Sequence, residues 1–384
     1  MKSVISRRDL LRASAGAAIT AAGLSGMTPR RAAASDAPDM PDDVLAFHRE
    51  CLVLDLHIDT LLWMRLFDYD VAVEHRNWLP GSPFAWHFDL PRAQRGGLDA
   101  AVFGLVINPR AVRPELMFPL KFLAWWEQDR GIDQTLATLD RLAAAAAKDP
   151  TGLAFCKSGS DVRRAFAAGR FGGLAGMEGS QGIEGSLDHL RAAYDRGLRM
   201  LGLVHFQATE AAYPMTVPEF DDRGLTPFGA LLVAEMERLG MVVDLAHVNA
   251  RGVADALGVV KRPFVVSHTA CRALTPHPRN LDDDQIRAVA DRGGVIALAF
   301  GNTFVSGGLE GFLDHVEHAI RVGGANCPAL GSDFDGMIVP TNGMGDVQVY
   351  PRITEGLLAR GQPRDVVQKL LGENALRVIT DVCG

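Results

Sequence analysis

Short apolar or β-branched runs alternate with stretches of helical periodicity from about residue 52 to the C-terminus. This alternation is typical of strand–helix units whose strands lie parallel in one sheet. Eight principal strands are predicted, at 52–59, 100–107, 172–179, 200–206, 241–247, 264–268, 294–301 and 329–335, with a further short strand at 153–157. Eight such units in one chain predict a (β/α)8 barrel of the TIM type.

The end residues of two predicted helices mark their boundaries. Ser160 is predicted to cap a helix over 161–168, and a helix over 227–239 is predicted to end at Gly240. No segment of the chain beyond the N-terminal region resembles a linker between domains. We therefore predict a single barrel domain over 35–384.

Residues 1–34 have the layout of an export signal. The pair Arg7-Arg8 resembles the twin-arginine pattern, a weakly apolar Ala/Gly run extends to about Gly26, and three alanines at 32–34 supply a cleavage motif. The apolar run is too short to span a bilayer. We predict a twin-arginine-type signal peptide, a periplasmic or secreted location and no stable membrane insertion after cleavage. A disordered N-terminus with a chance arginine pair is the alternative.

Charge and cysteine content argue against two kinds of protein, a binder of nucleic acid or anionic membranes and a disulfide-built scaffold. The formal net charge is −7, and residues 1–34 carry six Lys/Arg and one Asp, so the chain without them carries about −12. This acidity disfavours a nucleic-acid or anionic-membrane partner. The five cysteines form no C-x-x-C pair and are too scattered for a disulfide scaffold, which predicts buried or free thiols.

Polar side chains stand at the ends of six predicted strands, where a barrel of this kind has its site. Alternation along the first strand places His57 and Asp59 on one face, pointing inward. The third, fourth, fifth, sixth and eighth strands end with Glu178, His205, His247, His268, and Asp333 with Asp335. Burying so many ionisable groups together is unfavourable without a cation. Histidine with carboxylate suits zinc or manganese.

A single histidine at a strand end is more often a satisfied core side chain than a ligand. The whole set favours ligation, because core strands otherwise consist of Val, Leu, Ile and Ala. Asp55 and Asp244 lie mid-strand and are predicted to orient the nearby histidines. His277 is left open, whereas the histidines of helical or loop stretches are predicted to be solvated: His48, His75, His87, His189, His315 and His318.

Several segments, in the same order, resemble the membrane dipeptidase (renal dipeptidase) family of the amidohydrolase superfamily of metal-dependent barrels. They are VLDLHID at 53–59, GLTPFG at 224–229, VDLAHV at 243–248, RNLDDD at 279–284, GSDFDG at 331–336 and ENALRV at 373–378. The resemblance covers nearly the whole chain after the signal segment. It implies a (β/α)8 barrel of the metal-dependent hydrolase type that acts on dipeptides.

The resemblance also implies a metal site with two zinc ions per chain. His57, Asp59 and Glu178 would bind one ion, and Glu178, His247 and His268 would bind the second, so that Glu178 bridges the two. A hydroxide between two such ions is a nucleophile at neutral pH, because the metals lower the pKa of the bound water.

Three further roles follow from the same resemblance. His205 would steady the substrate carbonyl as an oxyanion forms, and Arg279 would bind the substrate carboxylate. Asp333 would pass the proton to the leaving amine, with Asp335 the less favoured residue for that role. For Arg279 the alternative is a structural ion pair with one of the aspartates at 282 and 283.

One segment departs from the family pattern. After His205 the chain reads FQATEAAYP at 206–214, where the family usually has an Asn-containing segment ending in Ala-Asp. This segment borders the substrate, so it leaves the side-chain preference open. The segment 68–88 is predicted to form a second loop that shapes the site.

We therefore expect a binuclear zinc dipeptidase. Its expected substrates include dipeptides with a D-residue at the C-terminal position. One alternative is a related amidohydrolase acting on N-acyl amino acids or lactams. Another is a non-catalytic solute- or metal-binding barrel, which is disfavoured because His205 and Asp333 are present and a binding protein needs neither. The expected partner is a small dipeptide, and a homodimer is left open.

Overall fold

The computed structural model describes residues 40–75, 86–107, 130–149 and 151–384. Its strands are β1 Leu54–Ile58, β2 Ala100–Val106, β3 Leu153–Phe155, β4 Phe171–Glu178, β5 Leu198–Gly202, β6 Val242–Asp244, β7 Val265–Thr269, β8 Val295–Leu298 and β9 Pro328–Leu330. Within the described residues, eight parallel strands close a ring in the order β2-β1-β9-β8-β7-β6-β5-β4, with β2 paired to β4. The short strand β3 pairs with the first residues of β4. The predicted (β/α)8 barrel is confirmed.

Helices alternate with these strands, as expected for a barrel of this type. They are α1 Asp42–Glu50, α2 Thr60–Phe67, α3 Leu90–Arg95, α4 Gly131–Lys148, α5 Gly159–Ala167, α6 Leu187–Arg196, α7 Pro227–Leu239, α8 Ala250–Leu257, α9 Asp283–Asp291, α10 Gly308–Gly323, α11 Tyr350–Ala359, α12 Arg364–Gln368 and α13 Asn374–Cys383. A π-helical turn, Lys369–Glu373, joins α12 to α13. Among the described residues, none of these helices combines the length and the apolarity that crossing a bilayer requires.

Local end signals set two of these helices. The hydroxyl of Thr226 accepts a hydrogen bond from the Gly229 amide, and α7 ends at Gly240 in the left-handed region with φ 78°, as predicted. The predicted cap of α5 is wrong by two residues. Ser158, and not Ser160, accepts the hydrogen bond from the Asp161 amide. Ser160 instead lies inside the first turn of α5, where its side chain is not placed to cap that helix.

The C-terminal helix closes one end of the barrel. α13 packs against β1, β6, β8 and β9, which lie on different sides of the ring. Its Leu376 and Ile379 belong to the same buried apolar cluster as Leu54 of β1 and Val242 of β6. This packing fills the amino-terminal end of the barrel, so the site forms at the opposite, carboxyl end of the strands.

The sequence predictions for residues 1–34 lie outside the described residues, as does part of the predicted loop at 68–88. The cysteine prediction falls within them. All five cysteines are free thiols, four of them buried.

Candidate metal centre

Three of the predicted ligands lie within strands, and the other site residues except Arg279 lie one to three residues beyond a strand end. His57, His268 and Glu178 are parts of β1, β7 and β4. The predictions that the strands extend through His205, His247 and Asp333 are wrong, because the paired strands end three residues earlier. His247 and Asp333 adopt positive φ values of 66° and 65°, which a strand does not accommodate, and their side chains reach Glu178 and His57.

The first strand is irregular where it delivers its ligands. The pairing of β1 with β2 shifts register between Asp55 and Ile58. Asp55 bonds to Tyr350 of α11, whereas His57 and Asp59 approach each other at 3.4 Å between Nε2 and Oδ1. Without the irregularity, Asp55 and His57 would lie on the same face of β1. The shift in register explains why Asp55 reaches α11 while His57 reaches the site.

Glu178 lies at the centre of the site. Its Oε1 is 2.8 Å from His247 Nε2, 3.2 Å from His268 Nε2 and 3.7 Å from His57 Nε2. Its Oε2 is 3.3 Å from His205 Nε2. A single buried carboxylate thus faces four imidazoles, all through the same ring nitrogen.

The donor set fits a metal cation. Three groups each place ligand atoms within 4.8 Å of one another: His57 with Asp59 and Glu178, Glu178 with His247 and His268, and His57 with His268 and Asp333. Both ring nitrogens of His57 and Oδ1 of Asp59 are buried without a hydrogen-bond partner. Unpartnered buried polar atoms are unfavourable, and a cation bound among them would satisfy these atoms. Imidazole nitrogen with carboxylate oxygen is a donor set that zinc prefers.

Electrostatics within the cluster point the same way. Burial lowers the pKa of His57, but the carboxylates of Asp59 and Glu178 more than offset it and raise that pKa to about 10. Burial raises the pKa of Asp59 to about 6 against the effect of His57. Burial also raises the pKa of Asp333, and the carboxylates of Asp59 and Glu178 add to the rise. A bound metal cation would supply the positive charge that a proton on His57 otherwise supplies.

His205 and Arg279 lie beside this cluster. The His205 ring meets the His247 ring edge-on at 4.6 Å, and burial lowers the His205 pKa to about 4. The Arg279 guanidinium donates to the His268 carbonyl at 3.1 Å and lies 3.0 Å from His247 Nδ1. Its Nε is buried without a partner. A buried guanidinium with a free donor is suited to an anionic ligand group.

The alternative role for Arg279, an ion pair with a neighbouring aspartate, is not what the structure shows. Asp282 caps α9 and lies 3.6 Å from Arg272. Asp283 lies 2.7 Å from His318. Both carboxylates therefore have other partners, and Arg279 faces the cluster.

The two aspartates after β9 differ in what they contact. Asp333 Oδ1 is 4.0 Å from His57 Nε2, within the cluster. Asp335 is fully buried, and its oxygens accept hydrogen bonds from the His87 amide and the Thr60 hydroxyl, both at 2.6 Å. Asp335 is therefore committed to Thr60 of α2 and to the His87 backbone, whereas Asp333 faces the cluster.

The prediction that Asp55 and Asp244 orient the histidines that follow them, His57 and His247, is not what the structure shows. The ring nitrogens of His247 instead lie beside Glu178, His268 and Arg279. Asp244 reaches His268 through Ser267, whose hydroxyl donates to Asp244 Oδ2 at 2.6 Å and lies 2.9 Å from His268 Nδ1. Asp55 accepts the backbone amide of His57 at 2.8 Å and leaves the ring uncontacted. Sequence reasoning missed Ser267, although its place next to a predicted ligand is a usable signal.

The prediction of solvated histidines is wrong for four of the six. His48, His87, His315 and His318 are buried. His48 is 2.8 Å from the Thr354 hydroxyl, and the Cys271 amide donates to His315 at 3.0 Å. Their partners come from distant parts of the chain, which a local pattern cannot show. His75 and His189 are half-buried.

The segment that departs from the family pattern lies at the mouth of the site. The Phe206 ring is 4.0 Å from the His205 ring and 5.2 Å from the His247 ring. At the far end of the segment, Pro214 forms an antiparallel bridge with Val248, and the Met215 amide donates to the His247 carbonyl at 2.8 Å. The segment therefore begins and ends beside site histidines.

A closed parallel barrel with histidines and carboxylates gathered at the carboxyl ends of its strands defines a metal-dependent hydrolase barrel. The family model for membrane dipeptidases, peptidase family M19, matches residues 42–383. The chain belongs to this family and is a metal-dependent dipeptidase.

Solved structures agree with this assignment. The dipeptidase AC, a metallopeptidase of family M19, is 28% identical over 87% of this chain and 99% of its own, with a TM-score of 0.74. A metallopeptidase from Rhodobacter sphaeroides, solved with a phosphinate mimic of the dipeptide L-Ala-D-Ala, is 28% identical over 86% of this chain and 99% of its own, with a TM-score of 0.74. The probable dipeptidase PvdM from Pseudomonas aeruginosa shares the fold at 21% identity, covering 88% of this chain and 97% of its own with a TM-score of 0.75.

Proposed function

We propose that the metal centre holds two zinc ions per chain and that Glu178 bridges them. The observation that carries the proposal is the position of Glu178 Oε1, which lies 2.8–3.7 Å from the Nε2 atoms of His247, His268 and His57. With Asp59, these residues form two ligand groups that share one carboxylate. When bound, a zinc pair supplies a hydroxide nucleophile at neutral pH by lowering the pKa of the water between the ions.

The remaining site residues handle the substrate. Arg279 binds the carboxylate of the dipeptide through its planar guanidinium. His205, neutral because burial lowers its pKa to about 4, donates to the carbonyl oxygen as negative charge develops on it. Asp333, whose pKa burial raises, holds the proton that the leaving amine receives.

This arrangement sets the length of the substrate. A fixed carboxylate site and a fixed metal site leave one residue between the C-terminus and the scissile bond. The enzyme therefore removes one residue from a dipeptide and does not cut longer peptides internally. We also propose that it accepts a D-residue at the C-terminal position, which the L-Ala-D-Ala mimic bound by the Rhodobacter sphaeroides relative supports.

Elemental analysis of zinc-reconstituted protein tests the metal proposal. We expect two zinc ions per chain in the active enzyme and a loss of bound zinc and of activity in Glu178→Gln. A stoichiometry of one in fully active enzyme, or full metal and activity in Glu178→Gln, contradicts the binuclear assignment.

Paired substrates test the carboxylate site. A dipeptide should be hydrolysed far faster than its C-terminal amide, and Arg279→Ala should cost on the order of 2–5 kcal/mol in kcat/KM through loss of a charge-assisted contact. Arg287→Ala, an exposed arginine of α9, serves as the control. Equal hydrolysis of acid and amide would overturn the carboxylate site and favour the lactam hydrolase alternative. N-acyl amino acids belong in the same screen, because the segment at 206–214 departs from the family pattern.

We further propose that residues 1–34 are a signal peptide and that the enzyme works in the periplasm or outside the cell. The paired arginines and the alanines at 32–34 support this. The double variant R7K/R8K should block export, and the exported protein should begin near residue 35. Full-length protein retained in the cytoplasm of cells with an active export pathway would contradict the proposal.

A further inference from the structure

The carboxylate of Asp59 lies between two glycines. A Cβ atom on Gly104 of β2 would be 2.1 Å from Asp59 Oδ1, and a Cβ on Gly336 would be 2.8 Å from Asp59 Oδ2. A Cβ atom cannot approach another heavy atom more closely than about 3.0 Å, so either the backbone or the carboxylate would have to shift. Each oxygen of this carboxylate therefore occupies space that any other residue type at the facing position would fill.

Conformational freedom is not the reason for glycine at position 104. The φ angle of Gly104 is not positive, and Gly104 pairs with Gly176 in a regular register between β2 and β4. Glycine inside a strand weakens the strand, so its presence there indicates a close approach by another group. The neighbouring inward position on β2 carries Val102, so the barrel accepts side chains on this face of the strand.

The backbone is fixed on both sides of this contact, so only the Asp59 side chain can move. The Asp59 amide donates to the Phe334 carbonyl at 2.8 Å, and its carbonyl accepts from Leu62 at 2.9 Å. Asp59 is buried, and Gly104 is held by strands on both edges of β2. An alanine at 104 would therefore displace the carboxylate, and the atom displaced is Oδ1, which lies 3.4 Å from His57 Nε2.

We propose that Gly104 is a positioning residue of the metal centre: the missing side chain at this point of β2 sets where the Asp59 carboxylate lies. The expected effect on metal binding rests on the proposed role of Asp59 as a ligand. The expected effect on stability rests on the distances alone. Gly336 differs, because its Cβ would meet Asp333 Oδ1 at 2.2 Å before it met Asp59.

A double-mutant cycle in metal-free protein tests the contact itself. Gly104→Ala should lower the urea midpoint of unfolding in the wild-type background. In the Asp59→Ala background no carboxylate remains to collide and the closest remaining atom is His57 Cε1 at 3.1 Å, so the same substitution should lower the midpoint much less. Gly336→Ala should keep its effect in both backgrounds, because Asp333 is still present. An equal loss for Gly104→Ala in both backgrounds would overturn the proposal.

Zinc binding tests the consequence for the metal centre. Gly104→Ala should keep one tightly bound zinc and weaken the second by about 10-fold or more, the range seen when a ligand loses its support. The matched control is Gly176→Ala, whose Cβ would meet Val102 and Met200 at 2.7–2.9 Å in the barrel interior, and which should retain two zinc ions. Two unweakened zinc ions in Gly104→Ala would contradict the positioning role. Two zinc ions in Asp59→Ala would instead contradict the ligand assignment and leave the stability cycle intact.

Discussion

The Ser267 hydroxyl stands 2.9 Å from His268 Nδ1 and is fixed by its own hydrogen bond to Asp244. Since the hydroxyl proton goes to the carboxylate, the hydroxyl oxygen accepts the proton on Nδ1. The lone pair of His268 is then on Nε2, which faces Glu178 at 3.2 Å. The Ser267 hydroxyl, on the side of the ring away from Nε2, thereby selects the tautomer of His268 that can bind a metal through Nε2.

Removal of this hydroxyl should weaken metal binding. We expect Ser267→Ala to lower zinc affinity by about 10- to 100-fold, the usual effect of losing a partner of a ligand histidine. Competition with a chelator of known affinity measures the change. Ser158→Ala, which removes the cap of α5, is the control for general destabilisation and should leave zinc affinity unchanged. Unaltered affinity in Ser267→Ala would show that His268 is oriented by its packing alone.

Asp333→Asn should separate catalysis from metal binding. We expect kcat to fall by about 10²- to 10⁴-fold, because an amide cannot hold and return the proton, while zinc content changes little. Asp335→Asn is the comparison, and it should mainly lower thermal stability because Asp335 joins Thr60 to His87. If Asp333→Asn keeps normal turnover and Asp335→Asn loses it, the two roles are reversed.

A buried hydrogen bond fixes Asp55, the residue that accepts the backbone amide of His57. Tyr350 is fully buried, and its hydroxyl donates to Asp55 Oδ2 at 2.5 Å. Tyr350→Phe should lower the free energy of unfolding by about 1.5–3 kcal/mol, the value of a hydrogen bond to a carboxylate. Urea denaturation measures the loss. Tyr194→Phe, at a half-buried ring on α6, should have little effect, and an equally small effect of Tyr350→Phe would contradict the prediction.

Asp99 should make stability depend on pH. Burial raises the pKa of Asp99 to about 7, while the Val53 amide, which donates to its carboxylate, opposes the rise. The folded protein therefore holds a proton that the unfolded chain releases near pH 4, so stability falls as pH rises from about 4 to 7. Asp99→Asn cannot ionise, so its free energy of unfolding should exceed that of wild type by about 1–3 kcal/mol at pH 8. The range is reduced because Asp99 is partly exposed. At pH 4 the two proteins should be nearly equal.

Urea unfolding of chelator-treated protein at both pH values checks this prediction. Asp291→Asn, at an exposed position near the end of α9, should track wild type throughout. A constant difference between Asp99→Asn and wild type at pH 4 and pH 8 would exclude ionisation of Asp99 as the cause.

The barrel could be predicted because the alternation of strands and helices is a property of local sequence. The ends of β5 and β6 could not, because apolar residues continue past the last paired residue. At His247 and Asp333 the chain instead turns through positive φ, which residues other than glycine rarely signal. The polar residues still reach the site, since parallel strands all bring their carboxyl ends to one edge.

The burial of individual histidines was beyond sequence reasoning for a different reason. His48 and His315 look like surface residues within amphipathic helices, yet each is buried with a hydrogen-bond partner from another part of the fold. Such partners follow from the packing of a helix on another helix, as for His48, or on a distant loop, as for His315. The same holds for Ser267, whose importance depends on where Asp244 lies across the sheet.

The bridge between Pro214 and Val248 has a consequence for which residues of the preceding segment can be varied. It returns the chain to the His247 loop, so that residues 206–213 form an arc with both ends anchored beside site histidines. Ala211 and Ala212 within this arc are fully buried, and the Ala211 carbonyl accepts a hydrogen bond from the Thr226 amide. The side chains free to vary are therefore those of the partly or fully exposed positions Gln207, Ala208 and Glu210. A laboratory library confined to those three positions would vary the mouth of the site while the anchored ends and the metal ligands keep their places.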